Sequence, residues 1–264
     1  MNKYQLKPNT LETLPLASFS LVCKKLDGWE VQKLAAVNYA TEQLVKYRNY
    51  SFVGIDVGLS HIGIALVGAG IKRRWWDLIT LDSTSSVDAS WNVVHAFNTQ
   101  VLPRIKQFCT SLKNTMVIIE CQPDKKYQRV SDIIKTWFYA LGWMKDDVVL
   151  RSATAKMTIF EEESIDLLPE YIDKWVKIKS EHDKNKLVSV MRATTGLRKH
   201  GDYEGIKDLA KFKMVDKADD VCDAYLYCCK EVFKKTIEEP ERRRKERLQK
   251  AKQKVVPFGR VTLK

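Results

Sequence analysis

The six cysteines of this 264-residue chain fall at Cys23, Cys109, Cys121, Cys222, Cys228 and Cys229, with no C-x-x-C pair and no matched spacing. That pattern excludes a zinc ribbon and a disulfide scaffold, so the chain is expected to work reduced. Adjacent Cys228 and Cys229 read as packing a helix face. The four histidines, His61, His95, His182 and His200, form no H-x-x-x-H ligand pair. No uninterrupted apolar stretch approaches the roughly 20 residues that a membrane span requires. The opening residues, Met1-Asn2-Lys3-Tyr4-Gln5-Leu6, lack both the apolar core of a secretory signal and the Arg- and Ser-rich character of a transit peptide. An intracellular protein with no membrane partner is therefore expected. No internal repeat is apparent.

Acidic residues are outnumbered, 33 Asp and Glu against 45 Lys and Arg, for a formal net charge of +12. Such an excess favours an anionic partner through long-range attraction and counterion release, and nucleic acid is the commonest one. The apolar share of 45% is ordinary for a chain that folds around a core. The length allows one substantial domain with extensions.

Residues 1–50 read as an N-terminal extension, irregular near Pro8 and Pro15. Over 29–47, Leu34, Val37, Leu44 and Tyr47 recur at roughly helical spacing. Lys24, Lys25, Lys33, Lys46 and Arg48 either face a phosphate backbone or belong to an extension packed on the main domain. That domain is expected over 51–235. Apolar runs predict strands near 52–56, 62–67, 74–81, 116–120 and 148–150. A long helix is expected over 87–112, with Trp91, Val94, Phe97, Val101, Ile105 and Phe108 on one stripe and a kink at Pro103. Further helices are expected over 129–141, stopping at Gly142, over 174–195 and over 219–234. Residues 152–171 read as an exposed, irregular insertion, and polar 196–217, with Gly201 and Gly205, as a mobile loop. Residues 236–264 form a basic tail through Arg242, Arg243, Arg244, Lys245, Arg247, Lys250, Lys252 and Lys254. It is either a DNA-contacting arm or a solubilising or nuclear-import segment.

Within this basic chain the informative acids sit at a few positions. Asp56 ends the apolar run 51–55, and Glu120 ends the run 117–119. Asp220 and Asp223 stand three apart, on one face of the expected last helix. Strand acid, strand acid and helix acids in that order could form a pocket for two divalent ions that cut phosphodiesters. Mg²⁺ prefers oxygen ligands and keeps several waters, so a few carboxylates suffice and no Ser, Cys or His nucleophile is needed. Each acid also has a structural reading. Asp56-Val57-Gly58 could be a turn in which the Asp bonds local amides, and Asp219 and Asp220 stand where a helix cap is favoured.

Taken together, Gly54-Ile55-Asp56-Val57-Gly58 with Gly63-Ile64-Ala65, then Ile118-Ile119-Glu120-Cys121-Gln122-Pro123, then Lys217-Ala218-Asp219-Asp220-Val221-Cys222-Asp223-Ala224, resemble the RuvC-like Holliday junction resolvases of the RNase H-like superfamily. The version most similar is that of poxviruses and other large DNA viruses, with fungal mitochondrial resolvases as relatives. The resemblance spans about residues 52–234 as ordered motifs. The first motif also occurs in sugar kinases and actin-like ATPases, whereas Glu-x-Gln with Asp-Asp-x-x-Asp is more specific.

The resemblance implies an α/β, RNase H-like mixed sheet flanked by helices, working as a homodimer that nicks opposed strands of a four-way DNA junction. It implies Asp56, Glu120, Asp220 and Asp223 as ligands of two Mg²⁺ ions per site, with Mn²⁺ able to substitute. It also implies Lys156 as a basic residue near the scissile phosphate, and a viral replication site, nucleus or mitochondrion as the location. Lys125, Lys126 and Arg129 are candidates to hold the junction backbone. Tyr127, Trp137, Phe138 and Trp143 either stack on bases or, as favoured for Trp137 and Phe138, build the core or a dimer seam along helix 129–141. The alternatives are an RNase H-like nuclease for other branched DNA or RNA–DNA hybrid, and a non-catalytic junction-binding architectural protein.

Overall fold

The computed structural model describes residues 46–81, 88–109, 111–164, 168–214 and 217–254. The expected helix over 29–47 lies outside these residues except at its last two positions, as do Lys24, Lys25, Lys33 and Cys23. The described residues of 46–237 form one compact unit, and those from Glu238 onward belong to another. In the second unit the described segment is the basic helix Glu239–Lys254.

The larger unit is built on five strands, β1 (Ser51–Val57), β2 (His61–Gly68), β3 (Arg73–Thr80), β4 (Thr115–Cys121) and β5 (Val148–Ser152), in the spatial order β3-β2-β1-β4-β5. The first three run as an antiparallel meander, and β4 and β5 are added parallel to β1. A mixed sheet follows, with helices on both faces, as the motif order implied. The helices are α1 (Asp88–Ala96), α2 (Leu102–Phe108), α3 (Lys125–Ala140), α4 (Glu161–Ser164), α5 (Leu168–Lys177), α6 (Glu181–Lys199), α7 (Tyr203–Met214) and α8 (Ala218–Phe233).

Successive strand side chains point to opposite faces. Val53, Ile55, Val57, Val117 and Ile119 enter a core with Phe97, Ile105, Ile134 and Phe138. Phe52, Met116 and Ile118 enter a second core with Leu197, Tyr225 and Cys228. Burying each of these large apolar side chains stabilises the fold by about 1.5–3 kcal/mol. Trp137, Phe138 and Trp143 are core residues, and the Trp143 indole N–H donates to the Thr115 carbonyl at 3.0 Å. Cys228 and Cys229 are buried free thiols on α8.

Several expectations are corrected. The segment expected as a mobile loop, 196–217, continues α6 to Lys199 and then forms α7. Gly196 is a packing position: a Cβ there would stand 2.5 Å from the Phe160 ring. The chain turns instead at Gly201, whose φ of +67° suits glycine. The helix expected over 174–195 is two, because Ser180 starts α6 by accepting the Asp183 N–H. Residues 152–171 are not a wholly exposed insertion, since Ile159, Phe160, Ser164 and Tyr171 are buried. The helix expected over 129–141 begins earlier, at Lys125, where the Asp124 side chain accepts the Lys126 N–H at 2.7 Å.

The stripe expected over 87–112 holds from Val94 to Phe108, with Phe97, Val101 and Ile105 fully buried, and fails only at Trp91. Between α1 and α2 the helix widens into a π turn, Phe97–Val101, directly before Pro103 in the first turn of α2. Val93 and Ala96 join the same core, and Trp91 is 68% exposed.

Helix α8 crosses the sheet at two glycines. A Cβ on Gly54 would stand 2.0 Å from the Ala224 carbonyl oxygen, and one on Gly63 would stand 2.2 Å from the Asp220 carbonyl oxygen. Gly54→Ala should therefore destabilise the protein by about 3 kcal/mol, the upper range for overpacking, because rigid backbone rather than a side chain must move. Gly70→Ala, where the space is open, should stay within about 0.5 kcal/mol of wild type. Urea unfolding of both variants measures the contrast; equal midpoints would refute this account of the crossing.

Candidate active site

Alternation along the strands places the strand acids. Asp56 follows Phe52 and Gly54 on the face that meets α8, and Glu120 follows Met116 and Ile118 on the same face. Asp56 lies inside β1, paired with Gly63, so it is not a turn residue. On α8, Asp220, Asp223, Ala224, Tyr227 and Cys228 recur at helical spacing, and this stripe meets the sheet. The α8 cap position is Lys217, which makes no side-chain cap bond. Asp219 and Asp220 are first-turn acids and not caps. The four acids predicted from sequence, with Lys156, line one cleft of about 740 Å³.

Glu120 is held at both oxygens. The Val57 N–H and the Gln122 side-chain amide donate to Oε2 at 3.2 and 2.8 Å, and the Tyr227 hydroxyl donates to Oε1 at 3.1 Å. Gln122 also donates to the Val57 carbonyl at 3.0 Å, tying the ends of β1 and β4 together. Lys156 sits in the 3₁₀ turn Ala153–Thr158 that follows β5. Its ammonium donates to Asp223 Oδ2, stands 3.8 Å from Asp56 Oδ1, and lies 5.4 Å from the centre of the Tyr227 ring. Lys186 of α6 pairs with Asp219 Oδ2 at 3.3 Å.

These like charges, mostly out of water, shift one another. Burial raises the Asp56 carboxyl well above its usual range, and the nearby Asp223 and Glu120 charges raise it further, against the pull of Lys156. Burial lifts Asp223 to about 6 even though Lys156 and Ser189 favour its ionised form. Asp220 also rises to about 6, through burial and then through its neighbour Asp219. For Lys156 burial disfavours the charge, but Asp223, Asp56 and Glu120 outweigh it and hold the ammonium above its ordinary value.

Not all of the predicted residues meet here. Lys125 and Arg129 line a separate groove along α3, beside Val94 and Trp137. Lys126 is exposed at the start of that helix, and Tyr127, one residue on, lines the acid cleft. Sequence reasoning missed the roles of Gln122, Tyr227, Lys186 and Ser189. Tyr227 had a signal, four residues beyond Asp223 on the same helix face, and Gln122 lay in the second motif. Lys186 and Ser189 reach the cleft only through the packing of α6 on α8, for which the sequence carries no local sign.

Among the described residues, no three Asp, Glu, His or Cys side chains stand ready at metal-ligand spacing. The donor set nevertheless fits a hard cation: it is all oxygen, its carboxyls repel one another, and Asp223 Oδ1 is buried with no hydrogen-bond partner. No family model matches this chain. No curated protein matches it. Among solved structures, RuvC of T. thermophilus in complex with a Holliday junction substrate is similar, with a TM-score of 0.40 and 11% identity over 70% of this chain and 94% of that one. A likeness of that size carries no argument about this chain's chemistry, which rests on its own residues.

A carboxyl whose folded pKa is raised destabilises the fold above that pKa, and the penalty fades as the pH falls toward the unfolded value of about 3.9. Without added metal, Asp56→Asn should therefore be more stable than wild type at pH 8, because burial and the neighbouring carboxylates penalise the ionised Asp56. The gain should shrink on acidification and vanish near pH 4, a trend read from urea unfolding at pH 8, 6 and 4.5. An Asn variant less stable than wild type at pH 8 would mean that Asp56 is held by favourable partners.

Proposed function

We propose that this chain is a metal-dependent, structure-selective endodeoxyribonuclease that resolves four-way DNA junctions by paired symmetric nicks, acting as a homodimer. One observation carries the reading: acids from two parallel strands and one crossing helix, with a lysine, share a single cleft in a chain of net charge +12. Its motif order resembles that of the resolvases of large DNA viruses. Residues 51–235 would form the nuclease domain, with 1–50 and the basic segment 236–264 as extensions.

Asp56, Glu120, Asp220 and Asp223 would hold Mg²⁺, two ions per site, with Mn²⁺ as a substitute. When bound, Mg²⁺ supplies a nucleophilic water and neutralises charge on the phosphate and the leaving oxygen. The chain's own residues position and balance charge. Gln122 and Tyr227 fix both oxygens of Glu120, so it meets the phosphodiester already oriented. Lys156 offers a cation to the anionic strand. Lys186 and Lys217, also lining the cleft, draw the backbone toward the acids. Lys125, Lys126 and Arg129 would hold an arm of the junction away from the cut. Helix α3, which ends near the exposed Tyr139, Leu141 and Met144, is the proposed dimer seam.

The test is cleavage of a labelled immobile four-way junction in Mg²⁺, beside duplex and RNA–DNA hybrid controls. Wild type should make paired nicks that leave ligatable 5′-phosphate and 3′-hydroxyl ends. Asp56→Asn should bind the junction with unchanged affinity and cut at least about a hundredfold more slowly, the scale for losing one group that stabilises developing charge. Cutting of hybrid alone would move the substrate. Tight junction binding without cutting in Mg²⁺ or Mn²⁺ would make the protein an architectural binder.

A further inference from the structure

We propose that the Lys156 ammonium is the internal counter-ion of the carboxylate cluster and that a divalent cation must displace it, so the charge at position 156 sets how tightly the cleft takes metal. The inference rests on the metal-dependent reading above and concerns what the lysine does before any substrate arrives.

The geometry is that of a competitor. The ammonium bridges two acids from different elements, bonded to Asp223 Oδ2 of α8 and 3.8 Å from Asp56 Oδ1 of β1. Its side chain is only 13% exposed, so water screens its charge poorly. Two other acids of the cluster are already engaged. Glu120 accepts from Val57, Gln122 and Tyr227, and Asp219 pairs with Lys186. Asp223 Oδ1 remains without a partner. The cluster therefore gathers more negative charge than one ammonium neutralises, and it keeps a spare acceptor beside the position that ammonium holds.

A divalent ion shared by Asp56 and Asp223 would lie within a few ångströms of the lysine charge, where repulsion is strong. The two cations cannot both keep their best positions. On displacement the lysine loses its bond to Asp223 but stays in the same cleft, free to meet a phosphate oxygen. The ion pair thus keeps the acids from repelling one another in the metal-free protein, and its rupture readies the lysine for substrate.

Mn²⁺ binding followed by electron paramagnetic resonance on wild type, Lys156→Met and Lys156→Arg tests this without reference to catalysis. Lys156→Met should bind Mn²⁺ about tenfold or more tightly than wild type, as expected from removing a poorly screened like charge. Lys156→Arg should bind no more tightly than wild type. In the wild-type protein, the ¹⁵N resonance of the Lys156 ammonium should be visible in the metal-free state and lost or shifted by saturating Mg²⁺, a reading that needs no variant to fold.

Equal or weaker Mn²⁺ binding by Lys156→Met, or an ammonium signal unmoved by Mg²⁺, would overturn the inference while leaving the nuclease reading intact if wild type still cuts junctions. Failure of all three proteins to bind Mn²⁺ would overturn both.

Discussion

Everything at the candidate site depends on how closely α8 lies against the sheet. Two glycines, Gly54 on β1 and Gly63 on β2, remove the Cβ atoms that would otherwise meet the carbonyls of Ala224 and Asp220. Those carbonyls are four residues apart, one helical turn, so the helix is seated at two points along its length. With the axis so fixed, the stripe carrying Asp220, Asp223 and Tyr227 comes down over the ends of β1 and β4, where Asp56 and Glu120 stand. A helix held further out by even one methyl group at each glycine would separate its acids from those of the strands.

The same closeness creates the site's electrostatic problem. Carboxylates that would be widely spaced on a surface are pressed together and partly removed from water, and burial and repulsion from neighbouring carboxylates both raise the pKa values of Asp56, Asp220 and Asp223. The fold tolerates this in three ways. Glu120 is wrapped in hydrogen-bond donors, Asp219 is drawn to Lys186, and Asp56 and Asp223 share Lys156. A cluster of repelling, partly buried carboxyls that cations would relieve is suited to binding them.

How much of this the sequence disclosed varied with the range of the interaction responsible. Strands β1 and β4 were legible because their apolar runs end in a single acid, and period-two alternation puts that acid on a definite face. Asp220 and Asp223 were legible from helical spacing alone. The helical nature of 196–217 was hidden because the segment is polar and carries Gly201 and Gly205, while Gly196 is explained as a packing position only by the Phe160 ring, 36 positions away. Trp91 looked like a core residue because it fits the spacing of the stripe, and only the fold shows it exposed. Lys186 and Ser189 were invisible for a similar reason: nothing within α6 distinguishes a cleft wall from a solvated face until α8 is packed beside it.

The segment that carries Lys156 is fastened at both ends. On one side Arg151 at the end of β5 grips Glu231 of α8 with two hydrogen bonds to Oε2, at 2.9 and 2.7 Å, and Glu231 is only 1% exposed. On the other, Phe160 is buried against Gly196 with its backbone at φ +53°. Between these moorings the chain has little slack, so the lysine can travel by turning its own side-chain bonds but hardly by sliding its backbone. The number of residues from 151 to 160 therefore sets where the ammonium stands. Adding or deleting one there would re-aim the ammonium while leaving every acid untouched.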